Sequence, residues 1–406
     1  MNIRTADVGL TLTLFIIASG GALPPSIIYF LVAIAALLAA MLWRVTPYID
    51  SRGATLAAGL LFWALSAWIS SLLGGLSSTY PADSYTAALR LSLPPIMFLY
   101  GYSFGHGRVI TVLAAVAWIG AFHATWSLFQ LLFGGAAIIG GVARASGALT
   151  PNVLANLLGL CLICSTMVAS GVLSGGIRKK PYIVLSALIF AGMIGAGTLK
   201  NILVAVLVLT IVYIASTRHR FVVRAALIAT FSVVASPFIL INDRFGGRLK
   251  EASDIFGGMV IDDDGRPSSL LWRFRHWQHL ISDWKDNYFW FGSGVGQSSN
   301  MAGIRAPLGQ GAMAHGDWVA VLVEGGVIFG AIWSFLALAI CATILRAPVS
   351  RGQKLFLWAT TLYFSVIMIG GNVIYTSSFL FAYWAVIGTI IGASSRVSSS
   401  SLGFRP

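Results

Sequence analysis

The chain has 406 residues, of which 57% are hydrophobic and only 10% charged, and its mean hydropathy is +0.85. Soluble domains carry roughly 25% charged residues, so a soluble globular fold is excluded. The net charge of +13 does not point to nucleic acid: the basic residues cluster in short loops on one side of the apolar runs, where they set topology and meet anionic lipid.

Apolar runs of about 17–25 residues suffice to cross a ~30 Å hydrocarbon core as helix. Twelve recur, at about 8–21, 25–43, 54–74, 89–105, 109–133, 152–175, 182–198, 200–216, 221–241, 317–345, 355–375 and 377–394. The first is short and the seventh and eighth are nearly continuous, so eleven or thirteen are the alternatives. Runs this long mean helices rather than a barrel, and the expected fold class is an all-α polytopic membrane protein. The first run also has the make-up of a signal peptide: Arg4, an apolar stretch over 8–18, then Ser19-Gly20-Gly21-Ala22. Cleavage there leaves the orientation of the rest unchanged.

Orientation follows from Lys and Arg in short loops. With a cytoplasmic N-terminus, fifteen fall on the inner side and only Arg90, Arg144 and Lys200 in the short outer loops. The polar stretch 242–316 is thereby expected in the periplasm of a bacterial inner membrane, with both termini cytoplasmic. The chain divides into 1–241, a bundle of about nine helices; 242–316, the periplasmic loop; and 317–406, about three helices and a tail. Cys161 and Cys164 have redox-motif spacing but lie mid-span with no flanking strand or charge, so they read as packing residues.

Chemistry is expected around the long loop. Its 244–256 segment reads as an interfacial helix and 257–269 as turn. Asp262-Asp263-Asp264 form a solvated acidic turn, with a divalent-cation site the weaker reading. Apolar positions 270, 271, 274, 277, 280, 281 and 284 predict an amphipathic helix over 270–287 that places Arg273 and Trp277 on one face. Gly292-x-Gly294-x-Gly296 lacks the strand and helix that a dinucleotide fingerprint needs, and reads as a tight turn. His315 stands at the membrane boundary, where an imidazole with an ordinary pKa near ~6.5 accepts a proton at neutral pH. Asp317 is expected to cap the helix that follows. Glu324, seven residues on and on the same face, is expected to pair with a basic residue of a neighbouring helix. Basic residues at the outer surface, including Lys200, Arg273, Arg275 and Arg305, suit an anionic ligand held at the outer leaflet.

These motifs, in this order, resemble the O-antigen ligase and polymerase superfamily. The residues that carry the resemblance are Arg273-Phe-Arg-His-Trp277, Gly292-Ser-Gly294-Val-Gly296, His315-Gly-Asp317 and Glu324-Gly325-Gly326 to Gly330. Upstream, Gly147-Ala-Leu-Thr-Pro151-Asn152 with Ala155-Asn156 resembles the family's Pro-Asn element. The resemblance implies a GT-C-like membrane glycosyltransferase that takes a glycan from undecaprenyl diphosphate at the periplasmic face. The acceptor would be lipid A–core or a lipid-linked repeat, transferred with inversion and without nucleotide sugar, metal or other cofactor. By carry-over, Arg273, with Arg275 as the alternate, holds the diphosphate, Lys200 stands where ligases carry arginine, and His315 deprotonates or orients the acceptor hydroxyl. Asp317, Glu324, Trp277 and Asn152 support them. The rival readings are a polysaccharide transporter or flippase, which would line a central cavity with its cations, and a scaffold docking through the loop.

Overall fold

The computed structural model describes residues 49–74, 81–139, 142–147, 149–170, 173, 180–216, 269–300 and 314–401. The expected spans at 8–21, 25–43 and 221–241, the loop segments at 244–256 and 257–268, the Asp262–Asp264 turn and Arg305 lie outside the described residues. The described elements are α1 (Ser51–Leu73), α2 (Pro81–Leu91), α3 (Leu93–Phe133), a hairpin of β1 (Ala137–Ile139) and β2 (Val142–Arg144), α4 (Pro151–Ser170), α5 (Lys180–Ala196), α6 (Leu199–Ser216), α7 (Ser269–Asn287), α8 (Asp317–Arg346), α9 (Arg351–Ile367) and α10 (Ser377–Ser401).

Among the described residues, six helical stretches are long and apolar enough to cross a membrane: Ser51–Leu73, Arg108–Phe133, Pro151–Ser170, Asp317–Arg346, Arg351–Gly370 and Ser377–Ser394. Lys180–Ala196 and Lys200–Ala215 are shorter apolar helices. Large apolar side chains such as Phe62, Leu132, Phe133, Leu338 and Leu345 lie exposed on these helices, far beyond the apolar patches a soluble surface carries. The protein is a mostly helical membrane protein.

Several details differ from the sequence expectation. The runs at 89–105 and 109–133 join in α3 with no loop assigned between them, and Pro81–Leu91 forms a helix of its own before it. The all-α expectation gains a small antiparallel hairpin, with Ala137 opposite Arg144. The run at 355–375 is helical only to Ile367; two 3-10 turns, Met368–Gly370 and Val373–Tyr375, follow it. Gly371, between them, ends the first turn in extended conformation.

Local chemistry accounts for the helix starts. The Asp50 carboxylate accepts the Gly53 N–H at 2.9 Å, and Ser350 with Gln353 forms a capping box at α9. Packing fixes the bundle. Gly101 and Gly105 of α3 lie against Ala385 and Gly392–Ala393 of α10, while Gly388 and Gly392 lie against Phe98 and Tyr102. Two glycines four apart on each helix let the backbones approach closely. Across α1 and α8, Trp63 stacks on Phe329 at 5.7 Å and meets Trp333 at 5.0 Å.

α8 is broken. Gly326 has φ 75° and ψ −177° inside it, so the ladder opens at Glu324-Gly325-Gly326. The turn after α7 closes the opening. Ser293 N–H donates to Val323 C=O and Gly294 N–H to Glu324 C=O, both at 3.0 Å. Val327 N–H donates to Phe289 C=O at 3.0 Å, and Ile328 N–H to Trp290 C=O at 3.4 Å. Ser70 Oγ of α1 adds a bond of 2.6 Å to Glu324 C=O. A backbone group left bare in hydrocarbon costs several kcal/mol, so the glycine turn is an integral part of this span.

Candidate active site

Five of the expected site residues, His315, Arg273, Lys200, Asp317 and Trp277, come together where α6, α7 and the start of α8 meet the 367–376 turn. His315 occupies the turn before α8 with φ 52°, and among the described residues it is the one non-glycine with positive φ. Both neighbours of this residue are fixed. Trp277 Nε1 donates to Ala314 C=O, and Ala314 N–H donates to Ser298 Oγ at 3.1 Å. A Cβ on Gly316 would lie 2.8 Å from the Trp277 ring, so that residue has no room for a side chain. Trp272 meets the His315 ring edge-on at 5.8 Å and stacks on His276 at 4.9 Å. Burial, then the neighbouring Arg273, His276 and Lys200, push the His315 pKa down to about 4. The imidazole is therefore neutral at pH 7 and able to accept a proton.

Lys200 and Arg273 face the same stretch of chain. Lys200 Nζ donates to Ile367 C=O at 3.0 Å. A Cβ on Gly371 would lie 2.8 Å from Lys200 Nζ, and one on Gly370 would lie 3.6 Å from Arg273 Nη1. Two cations from different helices thus converge on the Gly370–Gly371 backbone. Arg275 is exposed; two residues along α7 it stands ~200° round the helix from Arg273, away from this cluster.

Asp317 and Glu324 differ from expectation in their partners. The N-cap of α8 is Gly316, with no side-chain cap, and Asp317 turns to the 3-10 segment instead. Its carboxylate accepts Val373 N–H at 2.7 Å and Ile374 N–H at 3.3 Å, and it lies within electrostatic reach of Lys200. Among the described residues Glu324 pairs with no basic side chain: its carboxylate accepts Gly296 N–H at 2.8 Å, Ser298 N–H at 3.1 Å and the Tyr375 hydroxyl. Backbone N–H groups freed by the turns are available at fixed positions, and that is what the two acids take. Both carboxylates are fully buried and organise the loops around His315.

Asn152, at the start of α4, accepts from Arg144 Nη2 at 3.0 Å. Arg144 also donates to Ala196 C=O at 3.1 Å and Thr198 Oγ1 at 3.0 Å. It thereby joins the hairpin, α4 and the corner two residues before Lys200. Gln130 holds the neighbouring glycine, accepting Gly147 N–H at 2.8 Å and donating to its C=O at 2.9 Å. Sequence reasoning counted Arg144 only as a topology charge and passed over Ser298, Tyr375, Trp272 and the Gly370–Gly371 pair. Arg144 left one signal, its place eight residues before Asn152; the others carry no motif. Among the described residues, no group of three or more His, Cys, Asp or Glu could hold a metal ion.

The arrangement sets a neutral imidazole beside two cations at the mouth of an apolar bundle, a pairing suited to activating a hydroxyl next to an anionic leaving group. Residues 182–334 match the model of a family described as O-Antigen ligase. The match takes in Lys200, Arg273, Trp277, His315, Asp317 and Glu324, and leaves out Asn152. No curated protein matches the chain.

Proposed function

From the match of residues 182–334 to the O-antigen ligase family model, we propose that the chain belongs to the O-antigen ligase and polymerase superfamily and transfers a glycan from a polyprenyl diphosphate, of the undecaprenyl class, to an acceptor hydroxyl at the periplasmic face of the inner membrane. The observation that carries this reading is the convergence of Lys200 and Arg273 on Gly370–Gly371 beside the neutral His315. The donor's diphosphate lies at the two cations, with its prenyl tail in lipid. Arg273 offers a planar fork and Lys200 a point charge. His315 takes the proton of the acceptor hydroxyl as its oxygen forms the new bond to the anomeric carbon. The bond from that carbon to the diphosphate breaks on the opposite face, inverting the centre, and the leaving charge stays on Arg273 and Lys200. The acceptor is lipid A–core for a ligase or a second lipid-linked glycan for a polymerase.

The cations favour this over a flippase, because Lys200 and Arg273 gather at one end of the bundle instead of along a central passage. Replacement tests it. His315→Ala and Arg273→Ala each abolish surface polysaccharide while the protein remains inserted in the membrane; normal polysaccharide from both variants would sink the proposal.

A further inference from the structure

We infer that Ser298 is a positioning residue for the proposed base, holding the backbone before His315 in the one orientation that presents its ring to the site. The inference rests on the assignment of His315 made above.

His315 adopts the left-handed region at φ 52°. Histidine visits it more readily than most residues, yet the region is sparsely populated without glycine and persists where surroundings hold it. The holding bonds fall on Ala314. Its C=O takes Trp277 Nε1, and its N–H goes to Ser298 Oγ at 3.1 Å. Ser298 is completely buried and is itself held, its N–H donating to Glu324 Oε1 at 3.1 Å. Glu324 also accepts from Tyr375 and from Gly296 N–H. A continuous chain of bonds thus runs from the break in α8 through Ser298 to the residue before His315. It accounts for a buried carboxylate too deep to reach a sugar: Glu324 acts through Ser298.

Losing the Ser298 oxygen frees the Ala314 N–H and lets the His315 turn relax toward solvent. The ring then leaves both its burial and the field of the groups facing it, Arg273 and His276 from α7 and Lys200 from α6, with Asp317 next along α8. The experiment uses the full chain in membrane vesicles holding the cell's own lipid-linked glycan. At donor levels well below saturation, where the free enzyme is read, it follows polysaccharide formed and polyprenyl diphosphate released between pH 3 and 8. Ser298→Ala is compared with wild type, His315→Ala and the neighbouring Ser299→Ala. In Ser298→Ala the rate at pH 7 is expected to fall ~10- to 100-fold, the scale of a misplaced catalytic group, and the acid limb to move up from about 4 toward ~6.5. Ser299→Ala changes neither. A wild-type rate in Ser298→Ala overturns the inference, and so does a reduced rate with an unmoved acid limb, the mark of a merely structural loss. If Ser298→Ala fails to accumulate, Trp277→Phe, which deletes the other bond to Ala314, decides by the same limb. An active His315→Ala defeats the base assignment itself. An inactive His315→Ala beside a normal Ser298→Ala defeats only this inference.

Discussion

The lowered pKa of His315 has consequences for both turnover and stability. A base at about 4 is weak while Arg273 and Lys200 stand uncompensated. Burial, the largest cause of the depression, remains on binding, but a bound diphosphate cancels the charge of Arg273 and Lys200 and so raises the imidazole above that value. The acid limb of kcat/KM, which reports the free enzyme, is therefore expected near 4, and that of kcat, which reports the donor complex, higher; coincident limbs measured with a polyprenyl-diphosphate glycan would exclude this coupling. Stability takes the opposite sense from a paired histidine. The folded ring binds fewer protons than the unfolded one between about 4 and ~6.5, so stability falls as pH drops through that window. The two arginines of α7 separate by face: Arg273→Lys, which loses the fork, is expected to lower kcat/KM tenfold or more, and the exposed Arg275→Gln to change it less than about twofold. The type of these residues was legible in the sequence, but their partners were not. Asp317 bonds to Val373 and Ile374, more than fifty residues downstream, and no local spacing announces such a pair.

At the scale of elements, the glycines divide into those that are required and those that are tolerated. A Cβ at Gly326 would strike the Trp290 carbonyl and would have to adopt φ 75°. At Gly330 the nearest atom would be 3.7 Å away. Gly326→Ala is accordingly expected to destabilise the protein by ~2 kcal/mol or more and to abolish transfer, with Gly330→Ala near neutral in both; thermal unfolding in detergent and polysaccharide output check the pair. Hydropathy read α8 as one uninterrupted span because its residues are apolar on both sides of the break. The Glu-Gly-Gly sequence permits a break but does not demand one, since it takes the docked turn at 289–294 to make it favourable. The α7 helix was legible because its apolar positions recur at helical spacing. The Pro81–Leu91 helix was not, being short and broken by the polar Asp83, Ser84, Thr86 and Arg90 beside a membrane span.

For the whole molecule, composition and the long apolar runs pointed to a helical membrane protein, and the order of motifs pointed to the family whose model matches residues 182–334. The geometry of the site came from chain segments that sequence distance keeps apart: α6, α7, the α8 start and the 367–376 turn. Which product the assembly makes is read from lipid analysis. A strain lacking the protein accumulates lipid-linked single repeats if it polymerises, and long polyprenyl-linked chains if it ligates; neither species accumulating would contradict both. The interrupted span also bears on how the protein is made. The turn that closes α8 precedes it in the chain, so it has already emerged when α8 enters the bilayer. Insertion of α8 with its break leaves two carbonyls and two N–H groups to be matched at once by residues 289–294. Assembly of the turn at 289–294 is thus coupled to the integration of α8, and a chain that inserts without docking that turn is expected to keep an unbroken α8 and to lack the candidate site.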